Sequence, residues 1–432
     1  MKFAGRIQAS IEVLEDILSK RTPATMALRD WGKSNRYAGS KDRSFVGNIV
    51  HDALRQKSSI GYRMDDDSAR ALTLGTLAFN WDYTAKKIQE HFDGDKFAPS
   101  PLSDKEKRMI GGAIDLSDAP LWVQGDVPEW LWPAFENNFG EEALAEAQAL
   151  TKRPPLDVRI NLLRADIKKA GNVLTGFGAT PCDLSTVGYR MRADTLEGRL
   201  PNIQIEEIFQ TGGIEIQDEG SQLVSALVNA QPGDKILDYC AGGGGKSLAM
   251  AAEMANDGMI HAFDIDKRRL SPLYQRAMRA GADIIDVRNP PVESLKDLKG
   301  TIDKLLIDAP CTGVGTWRRK PDAKWRVSEE ALERRNNEQS KILATAHQYL
   351  RPGGLLFYVT CSMLAEENEA QVYQFLENHK SFNLLSAGEV WEEKFGTDGP
   401  KPWSEDGLTV TLTPESTNTD GFFFAVMEKQ KG

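Results

Sequence analysis

KILDYCAGGGGKS, residues 235–247, decides the fold: an apolar run ends on Asp238, breaks into four glycines, Gly242 to Gly245, and resumes with Lys246 and Ser247. Residues without a Cβ let the backbone turn sharply and approach a ligand, and the amides that open the following helix face it. Such a strand, glycine turn and helix begin a parallel α/β sheet, and the alternation continues downstream. Strands are predicted at MIHAFD (259–264), ADIIDV (282–287), DKLLIDA (303–309) and GLLFYVT (354–360). Helical segments separate them, including 328–350 and 366–379. The pattern predicts a Rossmann-like sheet. LTVTL (408–412) and FFFAVMEK (422–429) predict a closing hairpin, and the charged, turn-rich stretch Lys380–Pro414 reads as a surface insertion.

Upstream of this sheet the texture differs. Residues 1–140 carry helical stripes: Ile7, Ile11, Leu14 and Leu18, then Phe45, Val46, Ile49, Val50, Ala53 and Leu54. Near Pro154 and Pro155 shorter segments take over. PLDVRINLL reads as a strand entering a helix, and turns follow through Arg199. A small α+β domain over 141–215 is expected, with 216–432 as the catalytic sheet domain. At 432 residues, two or three domains are the expectation.

Composition excludes several classes. With 41% hydrophobic and 27% charged residues and no apolar run approaching the ~18 residues of a membrane span, a soluble cytoplasmic protein without a membrane partner is expected. Four scattered cysteines form neither a disulfide scaffold nor a CxxC metal pair, so reduced thiols and no metal are expected. The net charge of −10 disfavours nucleic acid only on average, because residues 1–60 carry 11 Lys plus Arg against 6 Asp plus Glu. A basic lobe on an acidic body is compatible with RNA. Nothing in the sequence calls for more than a monomer.

The glycine loop alone suits more than one ligand. A phosphate-binding P-loop would need glycine where Cys240 stands, and a dinucleotide fingerprint would need glycine at Ser247. The second predicted strand ends on Asp264, 26 residues after Asp238, where an acid can hold the ribose hydroxyls of an adenosine-containing cofactor. A phosphate cradle has no use for an acid there. Chemistry is selected instead by the fourth and fifth strands, which end in DAPCTG (308–313) and TCS (360–362). Cys311 and Cys361 therefore both fall on the carboxyl edge of the sheet, where open α/β folds build their sites. Cys182, by contrast, reads as a small buried hydrophobe.

These motifs resemble the RsmB-type (Sun) RNA 5-methylcytosine methyltransferases. The resemblance runs through IQDEGSQL (216–223), CAGGGGK (240–246), DIDKRRL (264–270), DAPCTGVGTWRRKPDAKWR (308–326), TCSMLAEEN (360–368) and TDGFFFA (419–425). More loosely, KDRSFVGNIVHDALR (41–55) resembles the NusB-like helical RNA-binding domain that such members carry. The resemblance implies a methyltransferase domain with a mostly parallel seven-stranded sheet, S-adenosylmethionine as cofactor and RNA as substrate, small-subunit (16S) ribosomal RNA by default. It implies Cys361 as the nucleophile that adds to cytosine carbon 6, and Cys311 as the group that assists release. Asp308 would meet cytosine N3, a role that calls for burial, under Pro310 for example, to keep the carboxyl protonated. Lys246 would act beside a thiol, the cofactor or the base. Cofactor contacts would come from Cys240, Ala241, Gly242, Gly243, Gly244, Gly245, Lys246, Asp264 and Asp308. Gly243 replaces the family's usual proline. Where the family commonly carries an acid after the third strand to hold the adenine amino group, this chain reads DVRNPP, and Asn289 would supply a side-chain oxygen instead. Arg318, Arg319, Lys324, Trp325 and Arg326, in a run of bases and aromatics, are candidate RNA contacts. Competing readings are a transfer RNA methyltransferase of the same chemistry, a DNA cytosine methyltransferase using Cys311, a P-loop NTPase, and a non-catalytic NusB-like RNA-binding factor.

Overall fold

The computed structural model describes residues 1–112, 114–192 and 200–431, so residues 193–199 of the expected turns lie outside the described residues. Two compact units result. One comprises Met1–Pro154 with Thr316–Val327, and the other holds the remaining sheet-forming sequence.

The first unit is helical. Helices Phe3–Lys20, Ala24–Ser34 and Ser40–Arg55 pack around the predicted stripe of Phe45, Val46, Ile49, Val50, Ala53 and Leu54, all buried. In the first helix Ile7 and Leu14 are buried as expected, but Val13 and Ile17 take inner positions while Ile11 and Leu18 are half-buried. The helices continue beyond residue 140, because Ala143–Ala149 buries Ala143, Ala147 and Ala149. No described helix is long and apolar enough to cross a membrane.

The second unit contains two sheets. Strands β1 (Leu156–Ile160), β2 (Thr180–Pro181), β3 (Gly188–Met191) and β4 (Ile214–Ile216) form an antiparallel sheet in the order β2-β3-β1-β4. Helix Ile167–Gly176 buries Ala170 and Leu174 against Val158, Ile160 and Ile214. Residues 161–165 form a turn before that helix, so the strand does not run directly into it.

The larger sheet holds β5 (Lys235–Asp238), β6 (Met259–Phe263), β7 (Ile285–Arg288), β8 (Ile302–Asp308), β9 (Leu350–Thr360), β10 (Phe382–Leu384), β11 (Thr409–Leu412) and β12 (Phe422–Lys429). Their order is β10-β12-β9-β8-β5-β6-β7, with β11 also paired to β12. Pairs among β5 to β9 are parallel, whereas β12 is antiparallel to β9, β10 and β11. This makes eight strands rather than seven. The additional strand, β10, comes from the stretch expected to be a surface insertion, which also supplies helix Ala387–Phe395 and the buried Trp391. That expectation is corrected: charges in Lys380–Pro414 line outer faces while apolar residues between them close the core. The chain leaves β5 for β6 and β7 on one side, then returns for β8 and β9 on the other. This reversal opens a crevice at the carboxyl ends of β5 and β8.

Candidate active site

At the end of β5 the backbone turns through Gly242 (φ 51°) and Gly244 (φ 77°) before helix Gly245–Glu253 begins. Gly244 has no substitute: a Cβ there would lie 2.1 Å from Leu273 Cδ1, in a left-handed conformation that side chains disfavour. Ala241 N donates to Phe263 O (2.8 Å) and Gly242 N to Asp264 Oδ2 (3.1 Å), so the loop is fastened to the end of β6. Asp264 is buried; it also accepts from Asp266 N (2.9 Å) and pairs with Arg269 (3.2 Å). A carboxylate has about four acceptor positions, so these three bonds leave room for a ribose hydroxyl. The half-buried Cys240 packs against the sheet's apolar cluster, and burial together with nearby carboxylates pushes its thiol well above its ordinary range.

Two buried oxygens near this loop lack a protein partner among the described residues. Asp238 accepts from Ser247 Oγ (2.6 Å) through Oδ2, while its Oδ1 has none, and burial raises the carboxyl to about 7. Asn289 donates to Tyr274 Oη (2.8 Å), and its Oδ1 is likewise unpartnered. An unmet buried acceptor is costly, and both would be relieved by a ligand carrying N–H donors. S-adenosylmethionine carries an ammonium at one end and an adenine amino group at the other, so the residues present fit it.

On the other side of the crevice, Asp308 ends β8 and Lys246 reaches across from the glycine helix to donate to its Oδ2 at 2.5 Å. Burial alone would depress the Lys246 ammonium, but Asp308 outweighs it and holds the group above its ordinary value. The expectation of an Asp308 buried under Pro310 is therefore corrected. Its side chain is 33% exposed and ion-paired with Lys246.

Cys311 and Cys361 meet as predicted from their strand ends: neither is in a disulfide, and their Sγ atoms are 3.3 Å apart. The shared hydrogen bond, burial and the Cys361, Glu367 and Asp308 charges hold Cys311 well above its ordinary range. Lys246 lies within electrostatic reach of Cys361.

Sequence reasoning missed what holds these loops. Thr360 Oγ1 donates to Asn368 Oδ1 (2.6 Å), Asn368 Nδ2 donates to Ser362 O (3.1 Å), and Gln339 Nε2 donates to Pro310 O (3.0 Å) and to Glu367 Oε1 (3.2 Å). Glu367 and Asn368 were visible within TCSMLAEEN, but nothing in a linear motif says which loop a carboxylate fastens.

The basic, aromatic run after Cys311 is placed otherwise than expected. Lys324 is 1% exposed, its ammonium donates to Arg55 O (2.8 Å), and burial lowers it to about 8. Trp325 Nε1 donates to Leu54 O (2.6 Å), Arg326 pairs with Asp322 (2.7 Å), and the buried Arg318 accepts from Arg55 Nε through its carbonyl (2.9 Å). Lys324 and Trp325 are used to pack the helical unit, which corrects their reading as an RNA platform. Arg319 is half-buried and Arg326 keeps an exposed face.

Residues 225–428 match the family described as 16S rRNA methyltransferase RsmB/F. A Synechocystis protein described as probable ribosomal RNA small subunit methyltransferase B is 30% identical over 327 residues, covering 73% of this chain and 70% of the relative. A Bacillus subtilis protein of the same description is 29% identical, with 100% of each covered. Among solved structures, a methyltransferase homologue from Pyrococcus horikoshii superposes with a TM-score of 0.60 at 26% identity, covering 72% of this chain and 97% of that one.

Proposed function

The chain belongs to the RsmB/F family of RNA methyltransferases, and from that membership we propose that it methylates carbon 5 of a cytosine in small-subunit ribosomal RNA through a covalent Cys361 adduct. The observation that carries the adduct reading is the 3.3 Å approach of two thiols at the ends of adjacent parallel strands. S-adenosylmethionine, the family's cofactor, supplies an electrophilic methyl group when bound. Asp264 would hold its ribose, Gly242 to Gly245 would let its backbone-facing side approach, and Asp238 and Asn289 would accept from its two ends.

Carbon 5 of cytosine is too weak a nucleophile to be methylated unaided. The Cys361 thiolate adds to carbon 6, forming a carbon–sulfur bond and driving an electron pair toward carbon 5. Negative charge builds at N3, where the Lys246–Asp308 pair places a proton donor inside a largely buried site. After transfer the carbon 5 proton passes to solvent, the electrons of its bond form the carbon 5–carbon 6 double bond, the carbon–sulfur bond breaks with its electrons returning to Cys361, and the N3 proton returns to Lys246. Cys311 is close enough to deliver the proton that Cys361 then takes up. The target base must be unpaired or flipped out to reach either sulfur. In this reading the helical unit, with its basic N-terminal lobe, contributes RNA contacts, and the enzyme acts as a cytoplasmic monomer without a metal, where thiols stay reduced.

Denaturing gels of Cys311→Ala and Cys361→Ala variants incubated with cytosine-containing RNA and S-adenosylmethionine test the adduct. A slow-migrating, RNA-linked protein is expected for Cys311→Ala only. A band dependent on Cys311 would reverse the roles, and normal turnover without a band in both variants would sink the two-thiol scheme.

A further inference from the structure

One buried carboxylate joins the two thiol loops. Glu367, with no accessible surface, receives Thr312 N at 2.8 Å through Oε1 and Thr312 Oγ1 at 2.5 Å through Oε2. Gln339 Nε2 adds a further bond at 3.2 Å. Its own carbonyl accepts from the buried Tyr358 hydroxyl at 2.7 Å, which fixes the carboxylate's root to β9. Thr312 is the residue after Cys311. Glu367 itself belongs to the loop that follows Cys361, so its side chain ties that loop to the residue after Cys311.

We propose that Glu367 is a positioning residue that sets the Cys311–Cys361 separation and so governs the release of methylated RNA. Three donors converge on one carboxylate, an arrangement that suits an acceptor-only group. A glutamine at this position puts an amide nitrogen where the Thr312 hydroxyl now donates, so that hydroxyl must turn to accept and its bond to a charged acceptor is lost. Slackening the grip moves Cys311 relative to Cys361 while leaving the glycine loop and Asp264 untouched, because no Glu367 bond reaches them. The fully buried clamp also accounts for why the loop after β9 carries a carboxylate at all: a residue serving only the fold could be apolar at far less desolvation cost.

This inference rests on the two-thiol reading, and its test separates the two. Glu367→Gln and the milder Thr312→Val, which removes one hydroxyl donor without changing shape, are compared with the wild-type protein, Cys311→Ala and the Cys311→Ala/Glu367→Gln double variant. Expected for Glu367→Gln is a kcat about a hundredfold lower, the scale of an ångström-level misplacement, with KM for RNA and Kd for S-adenosylmethionine unchanged. RNA-linked protein should accumulate in Glu367→Gln and, less strongly, in Thr312→Val. The double variant should trap no more than Cys311→Ala alone, as residues acting on one step are non-additive. If Cys311→Ala fails to trap RNA, the two-thiol reading falls. If it traps RNA while both clamp variants turn over normally, or lose S-adenosylmethionine binding and thermal stability together, the clamp falls and the two-thiol reading stands.

Discussion

The two banks of the crevice are built on opposite principles. On the thiol bank, at the ends of β8 and β9, the side chains that hold the cysteine loops bond within the protein, Thr360 with Asn368, Asn368 with Ser362 and Thr312 with Glu367, and among the described residues the buried Gln339 Oε1 is left without a partner there. On the glycine bank, Asp238 Oδ1 and Asn289 Oδ1 are buried without a partner among the described residues. A site that must place two sulfurs accurately is finished before substrate arrives, whereas a site that must recognise a cofactor leaves acceptors for the cofactor to satisfy. Preorganisation on one bank and deferred satisfaction on the other divide catalysis from binding.

The strongest way to break this contrast is Gly244→Ala. Left-handed strain and the 2.1 Å overlap with Leu273 should weaken S-adenosylmethionine binding, read by calorimetry, by about two orders of magnitude. Next is Asn368→Ala on the thiol bank, which strands the Thr360 hydroxyl and the Ser362 carbonyl. Thermal or denaturant unfolding should show a loss of about 1–3 kcal/mol, with the cofactor Kd unchanged. A shift in Kd instead would mean that the banks are not separate. The smallest effect is expected from Asp238→Asn, which should weaken cofactor binding about tenfold while leaving the unliganded protein as stable as before or more so.

Proton linkage sharpens the last comparison. The Asp238 carboxyl sits at about 7 in the fold against an ordinary value of 3.8. A raised carboxyl stabilises the fold in its protonated form, so this contribution is complete below the ordinary value and is lost as pH rises through about 7. A cofactor ammonium favours the ionised form. Affinity for S-adenosylmethionine should therefore fall about tenfold per pH unit below that point, and Asp238→Asn should flatten the profile. An equally steep profile in the variant would remove Asp238 from the contact.

How much of this was legible in the sequence follows from the range of the interactions involved. The glycine turn, Asp264 and the two cysteines were readable because each is fixed by its own strand end, a local property. The approach of Cys311 to Cys361 followed from parallel neighbours sharing one edge. Glu367 was not readable as a clamp, since it meets Thr312 across 55 residues of chain and no periodicity encodes that meeting. Lys324 and Trp325 were misread because composition is the same whether a base and an aromatic lie open to RNA or fold over one another; only the Arg55 and Leu54 carbonyls decide it. Strand β10 escaped notice because three residues are too few to display an alternation. Asp308 looked like a buried acid because nothing near it in sequence announces Lys246, 62 residues away.

Strand β12 has a consequence for how the protein is made. Phe422–Lys429 lies between β9 and β10 and carries β11 as well, with Phe423, Phe424, Ala425, Val426 and Met427 all buried. A nascent chain that has emerged only as far as β11 therefore displays the open edge of β9 and a helix-bound β10 with no neighbour. Such an edge pairs readily with other chains, and closing it joins segments far apart in sequence, which is slow. The growing polypeptide thus depends on a wedge that arrives late, and its most aggregation-prone interval on the ribosome falls between residues 360 and 422.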